Sequence, residues 1–183
     1  MRIQLKTVLD CDPDAAWRAL RSPAVLRELY GPFLQMASLE TTGFPTVWSE
    51  ERHEVVLRLG GVVPVGRQAM DLRLRDDRAD GIRILKDDGA ALTGPLSLLD
   101  SWTHRMAVSP AAGDPGKTLY RDRLDIHGPL APAYWYPLWL TWPWRGRRIR
   151  QLAPTWAYDP RPEEETPERG ETPQGDAEHT SFG

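Results

Sequence analysis

Residues 132–152 are rich in tryptophan and proline and read PAYWYPLWLTWPWRGRRIRQL. Apolar side chains surround its first half, and arginines dominate its second half. A helix that is apolar on all sides is typical of burial on more than one face or of an amphipathic interface. The segment therefore predicts one long C-terminal helix, kinked or broken near Pro137 and Pro143.

The start of the chain predicts a strand followed by two short helices. Residues 2–10 alternate polar and apolar side chains, which is the period of a strand. Asp12-Pro13-Asp14 then supplies a helix N-cap, a proline at the first helical position and an acid in the first turn. Ser22-Pro23 repeats the signal for a second helix, which Gly31-Pro32 ends.

Between these helices and the C-terminal helix the sequence predicts strands alone. They are expected at 35–42, 50–59, 62–75, 80–86, 97–109 and 117–127. Short connections rich in Gly, Pro and Asp separate them. Since no helical pattern lies between the strands, they favour an antiparallel meander over parallel crossovers. The prediction is an α+β protein with a curved, seven-stranded antiparallel sheet around one long helix.

This order of elements, together with a few short strings, resembles the START/Bet v 1-like superfamily, also called SRPBCC. The strings are DPDAAW at 12–17, SWTH at 101–104, YRDRL at 120–124 and WRGRRIR at 144–150. The resemblance covers about residues 2–153 and is to uncharacterised bacterial members called polyketide cyclase-like. It implies the helix-grip fold and a cavity for an apolar or amphipathic small molecule. It does not imply catalysis, because this superfamily includes binders, carriers and enzymes.

Length and composition indicate one folded domain followed by a tail. The 183 residues are 40% hydrophobic and 27% charged, as in ordinary globular proteins. We expect the helix-grip domain at 1–155 and a disordered tail at 156–183, because the tail is acidic and rich in Pro, Glu and Thr. Residues 159–183 carry a net charge of −6 and residues 1–158 carry +3. Neither part is charged enough to require nucleic acid or membrane as a partner.

The sequence offers little for a cofactor or a metal. A single cysteine, Cys11, excludes an internal disulfide and a multi-cysteine metal site, and it fits a reducing compartment. Four histidines show no metal-binding spacing, and no phosphate-binding loop is present. The N-terminus lacks a signal-peptide core, and the longest apolar stretch, 131–144, is shorter than the ~20 residues of a spanning helix. We expect a cytoplasmic protein without cofactor or metal.

Strand alternation assigns several polar and aromatic side chains to the inner face of the sheet. With the tryptophans of the last helix they form the candidate ligand-binding set: His53, Gln68, Met70, Trp102, His104, Tyr120, Trp135, Trp139 and Trp142. Each also has a plain structural explanation, such as a hydrogen-bonded core histidine or a packed tryptophan. Asp122 lies on the same face, and pairing with an arginine such as Arg105 is its structural alternative.

The leading functional hypothesis is the binding of a hydrophobic or amphipathic small molecule between the sheet and the C-terminal helix. The main alternative is a cyclase-, aromatase- or dehydratase-like enzyme that uses His104 with Asp122 or Tyr120 as catalytic residues. A histidine oriented by a carboxylate acts as a general base near neutral pH, and sequential antiparallel strands would bring these side chains together.

A further alternative is association with a membrane surface through the tryptophans and arginines of the last helix. Nucleic acid is not expected as a partner. Arginines 145, 147, 148 and 150 are interpreted as a solvated, acid-paired surface whose positions suit the negative C-terminus of the helix.

Overall fold

The computed structural model describes residues 1–77 and 81–158. These ranges contain eight strands and three α-helices. The strands are β1 (Arg2–Leu9), β2 (Leu34–Ser38), β3 (Arg52–Leu59), β4 (Val63–Asp77), β5 (Ile82–Asp87), β6 (Ala90–Ala91), β7 (Ser101–Ala111) and β8 (Asp114–His127). The helices are α1 (Pro13–Leu20), α2 (Pro23–Tyr30) and α3 (Ala131–Leu152).

Within the described ranges the strands form a single antiparallel sheet. Its order is β1-β8-β7-β5-β4-β3-β2, and the two-residue β6 pairs with β4 beside this path. Among the described strands, three pairs join strands that are not consecutive along the chain: β1 with β8, β5 with β7, and β4 with β6. The other pairs join consecutive strands. The α+β prediction of a curved sheet with a long C-terminal helix is confirmed.

Both short helices begin where the sequence signals place them. The Asp12 carboxylate accepts hydrogen bonds from the backbone N–H groups of Asp14 and Ala15, each at 2.9 Å. The Ser22 hydroxyl accepts a weaker one from the Val25 N–H at 3.4 Å. These bonds satisfy amide groups that the first turn of a helix leaves without a partner.

Three local predictions are wrong in detail. The strand expected from residue 97 begins at Ser101, because Pro95–Leu98 forms a 3₁₀ turn. Strand β6 was not predicted, since two alanines carry no alternation to detect. The break considered near Pro137 and Pro143 is absent, because helix α3 is continuous from residue 131 to 152.

Helix α3 approaches the sheet closely at Gly146. A Cβ atom at this position would stand 3.0 Å from the Leu5 side chain on β1, so the missing side chain permits the close approach. One turn later Ile149 enters the main core, and Trp156 does so from a final 3₁₀ turn, Ala153–Tyr158. The boundary drawn at residue 155 falls inside this turn. The disorder expected for the acidic tail concerns residues 159–183, which lie outside the described ranges.

Candidate ligand-binding cavity

A cavity of about 120 Å³ lies beneath α3, between the helix and the inner face of the sheet. Helix α3 contributes Leu138 and Trp142, which are four residues apart and therefore on one helical face. The walls are mostly apolar, and the full lining is Leu20, Leu26, Tyr30, Leu34, Met36, Trp48, Leu57, Gln68, Met70, Leu72, Leu85, Asp87, Leu96, Trp102, His104, Met106, Leu138 and Trp142. An enclosed apolar space with a few polar groups is the general form of a small-molecule site.

Five of the predicted ligand-binding residues line this cavity: Gln68, Met70, Trp102, His104 and Trp142. They come from three different elements, β4, β7 and α3. The strand residues have even numbers on β4 and β7, so the alternation rule assigned them to the correct face.

His53 and Tyr120 are buried but do not line the cavity. The Nδ1 atom of His53 lies 3.0 Å from a carboxylate oxygen of Glu40, and its ring packs against Trp48 with 4.9 Å between centroids. The Tyr120 hydroxyl donates a hydrogen bond to Asp122 at 2.8 Å. Both side chains therefore fit the structural explanation, one as a support for Trp48 and one as a partner of Asp122.

Trp135 and Trp139 lie outside the cavity as well. Their rings stack on each other at 5.9 Å, and the Trp135 indole N–H donates to the backbone oxygen of Arg2 at 2.9 Å. Trp139 is 48% exposed, because it follows the inward Leu138 by one residue and is thus rotated about 100° away from the cavity.

The most polar feature next to the cavity is a buried cluster around Asp122. One carboxylate oxygen lies 2.6 Å from His104 Nε2. The other accepts hydrogen bonds from the Tyr120 hydroxyl at 2.8 Å and from Arg145 Nε at 2.7 Å. All four residues are at most 4% exposed. The juxtaposition of His104, Asp122 and Tyr120 that the sequence suggested is present, and Arg145 completes it.

Opposing effects set the charge state of Asp122. Burial alone would raise the pKa of this carboxyl. The Arg145 guanidinium and His104 together lower the pKa by more than burial raises it, so the net pKa lies well below its usual range. Burial likewise raises the pKa of Tyr120 well above its ordinary value, and the negative charge of Asp122 adds to this effect. Asp122 is therefore an ionised carboxylate, and the Tyr120 phenol is a neutral donor to it.

Arg145 corrects an interpretation made from the sequence, which grouped it with the solvated arginines of α3. It is 3% exposed and pairs with Asp122. The sequence predicted an arginine partner for Asp122 and named Arg105 as an example, and the partner is Arg145. The helical spacing of the sequence could have identified Arg145 as an inward residue. Leu138, Trp142, Arg145 and Ile149 are spaced at i, i+4, i+7 and i+11, which places Arg145 on the inward stripe.

A second buried carboxylate, Asp87, lines the cavity itself and was not found from the sequence. One of its oxygens accepts hydrogen bonds from the backbone N–H groups of Asp71 at 3.0 Å and Gly89 at 2.9 Å. Burial raises its pKa, while these hydrogen bonds and His104 act in the opposite direction. In the sequence Asp87 belongs to Asp87-Asp88-Gly89, a composition typical of turns, so its inward orientation was not predicted.

Three indole N–H groups around the cavity have no hydrogen-bond partner in the described part of the chain. They belong to Trp48, Trp102 and Trp142, and each nitrogen is buried. An indole can only donate, and a buried donor without an acceptor costs about 1–3 kcal/mol.

The outward side of α3 is apolar near its start and basic near its end. Tyr136 and Leu140 are 61% and 62% exposed. Arg147 and Arg150 are exposed further along the helix. No helix in residues 1–77 and 81–158 is long and apolar enough to cross a bilayer. In the same ranges, no group of three or more His, Cys, Asp or Glu side chains converges as a metal site would require.

The fold has clear counterparts among solved structures, although no protein-family model and no curated protein matches the sequence. Hypothetical protein jhp0584 from Helicobacter pylori superposes with a TM-score of 0.61 at 11% identity, over 84% of this chain and 88% of that one. Norcoclaurine synthase from Thalictrum flavum, in complex with dopamine and hydroxybenzaldehyde, gives 0.54 at 13% identity over 85% and 87%. Ara h 8.0201 gives 0.53 at 12% identity over 85% and 98%.

The architecture and these likenesses define the class: the chain is an α+β protein of the helix-grip fold, with a small cavity between sheet and helix. The resemblance to the START/Bet v 1-like superfamily that the sequence suggested is confirmed as a likeness of fold. At identities of 11–13% it is the fold that is shared.

Proposed function

We propose that the protein binds a small apolar or amphipathic molecule in the cavity beneath α3. The observation that carries the proposal is the cavity itself, whose lining is apolar apart from a few polar groups such as Gln68, Asp87 and His104. Burial of the apolar surface of a guest contributes roughly 25 cal/mol per Å² to affinity, and the polar groups set its orientation.

The size of the cavity limits the size of the guest. Pockets for drug-sized ligands are commonly about 300–1,000 Å³. The cavity here, about 120 Å³, is closer to the ~150 Å³ engineered cavity that accepts a benzene molecule. The proposed guest is therefore about the size of one substituted ring. Norcoclaurine synthase, which shares the fold, is in complex with dopamine and hydroxybenzaldehyde, so single-ring compounds are bound by a protein of this fold.

Benzyl alcohol is a suitable probe because it has this size and carries no charge. Binding should shift the ¹⁵N–¹H indole signals of Trp48, Trp102 and Trp142, which line the cavity, and leave that of the exposed Trp139 in place. Saturable shifts confined to the cavity tryptophans are expected at millimolar probe. No shift at any indole, or a shift at Trp139 alone, would refute the proposal.

A matched pair of variants tests whether the site is the cavity. Leu57→Phe places a larger side chain into the lining, whereas Leu59→Phe makes the same change two residues along β3, where the side chain is 54% exposed and outside the cavity. Filling the space should weaken benzyl alcohol binding at least about tenfold in Leu57→Phe, because a packed interior has no room for both groups. Leu59→Phe should bind as the parent protein does.

Acid–base catalysis at His104 is a second candidate function, and the 2.6 Å contact with Asp122 favours it. With Nε2 facing Asp122, Nδ1 is the ring nitrogen left to take a proton from a guest. Tyr120 does not line the cavity, so it is a partner of Asp122 and not a group that touches the guest. Cyclohexanone in D₂O provides a test: a general base here should accelerate deuterium exchange beside the carbonyl, and His104→Gln should remove the acceleration while probe binding persists.

A further inference from the structure

Two buried carboxyl groups, Asp122 and Asp87, lie at or beside the cavity, and His104 lies near both. Asp122 is matched by Arg145, which donates to it at 2.7 Å. Asp87 also lies at the cavity wall and is 5% exposed. In residues 1–77 and 81–158 no lysine or arginine lies within 4 Å of its carboxylate, which has only backbone N–H groups as hydrogen-bond donors. A buried carboxylate without a cation is costly, so a positive charge inside the cavity would be stabilised there.

The other walls suit a cation as well. Four aromatic side chains line the cavity: Tyr30, Trp48, Trp102 and Trp142. The faces of aromatic rings attract cations within about 6 Å of the centroid. Two of these rings already contact a cation: the Arg145 guanidinium lies 4.9 Å from the centroid of Tyr30 and 5.9 Å from that of Trp142.

We propose that the guest of this cavity is a small organic ammonium ion, with Asp87 as its counter-ion and the aromatic walls around its apolar part. This inference rests on the proposed function and specifies the chemical class of the ligand. The unpartnered indole N–H groups would favour an acceptor group on the guest, but they are neutral dipoles, whereas Asp87 is a buried carboxyl group whose ionised form a cation would stabilise. The charge therefore decides the class.

Three near-isosteric compounds separate the two levels of the proposal: benzylammonium, benzyl alcohol and benzoate. Titration calorimetry and the indole signals of the full chain give their affinities at pH 7.5 and constant ionic strength. We expect benzylammonium to bind about tenfold more tightly than benzyl alcohol, and benzoate to bind most weakly. If benzyl alcohol or benzoate binds as well as benzylammonium, the ammonium assignment is wrong and the proposed binding function stands. If none of the three binds, both fail.

Asp87→Asn tests the counter-ion directly. Asparagine keeps the side-chain oxygen that accepts from the Asp71 and Gly89 N–H groups, so the turn retains its hydrogen bonds. Benzylammonium should lose about tenfold in affinity, while benzyl alcohol should change little. Asp88→Asn is the matched control, because it removes the same charge one residue along, where the carboxylate pairs with Lys86 outside the cavity. Equal losses in the two variants, or none in Asp87→Asn, would overturn the assignment. Should Asp87→Asn fail to fold, the three-compound series decides alone.

Discussion

Replacing Arg145 by methionine should destabilise the protein strongly, because it leaves the Asp122 carboxylate buried without its cation. Asp122 is 1% exposed, and after the substitution it would keep only His104 and Tyr120 as partners. Removal of one member of a buried ion pair typically costs about 3–5 kcal/mol. For a domain of this size 1 kcal/mol corresponds to roughly 2–4 °C, so the melting temperature should fall by about 10 °C.

The pH dependence gives this prediction a signature that a simple packing defect lacks. Because the folded-state pKa of Asp122 is lowered, its stabilisation is complete above the unfolded-state pKa of about 3.9 and is lost as the pH falls through the lower folded-state value. In Arg145→Met the folded-state pKa rises. The stability deficit of the variant should therefore be largest near neutral pH and shrink on acidification from about pH 5 towards pH 2.

Urea unfolding monitored by circular dichroism at several pH values measures this deficit. Arg147→Met is the control, since Arg147 is exposed on the same helix and should change stability by no more than about 0.5 kcal/mol. The double variant Asp122→Asn/Arg145→Met should lose less than the sum of the two single losses, because each single variant leaves one charge uncompensated. A deficit that is small, or the same at every pH, would refute the assigned role of Arg145.

Three further substitutions or reactions probe other parts of the fold. Asp12→Ala removes the cap of α1 and should lower stability by about 1 kcal/mol in thermal melts, whereas Asp12→Asn should retain most of it; equal losses would contradict the capping role. Burial raises the pKa of Cys11 to about 11, so at pH 8 its thiol should react with a disulfide reagent more than about 100-fold more slowly than after unfolding; a fast native reaction would contradict this burial. Gly94→Ala should destabilise markedly in urea titrations, since φ is +84° and a Cβ atom would stand 2.1 Å from the Val65 oxygen; wild-type stability would show that the turn has another conformation.

Signals that act over a few residues made the fold predictable. The cap at Asp12 and the Ser22-Pro23 pair start helices through contacts within three residues, so a string of residues suffices to locate them. Strand alternation is equally local, and it placed Met70 and His104 on the inner face correctly. The local rule for proline expected a kink or break in α3 near Pro137 and Pro143, whereas the helix is continuous there.

The candidate site was predicted only in part, because some of its residues are placed by contacts between elements that are distant in the sequence. Arg145 is inward because the whole helix presents one stripe to the sheet, and its basic neighbours masked that period. Asp87 is inward because its carboxylate satisfies the backbone of a neighbouring strand, which is a long-range contact. The aromatic richness of α3 drew attention to Trp135 and Trp139, but a helix offers only part of its circumference to a cavity.

The contact between Gly146 and Leu5 concerns how closely α3 packs on the sheet near the cavity. The backbone of α3 rests on Leu5 there, while Leu138 and Trp142 roof the chamber one to two turns earlier. A methyl group at this contact would press on the end of the Leu5 side chain, which would have to shift by a few tenths of an ångström to admit it. Gly146 does not line the cavity, so its absent side chain contributes to the close seating of α3 on the sheet from outside the site.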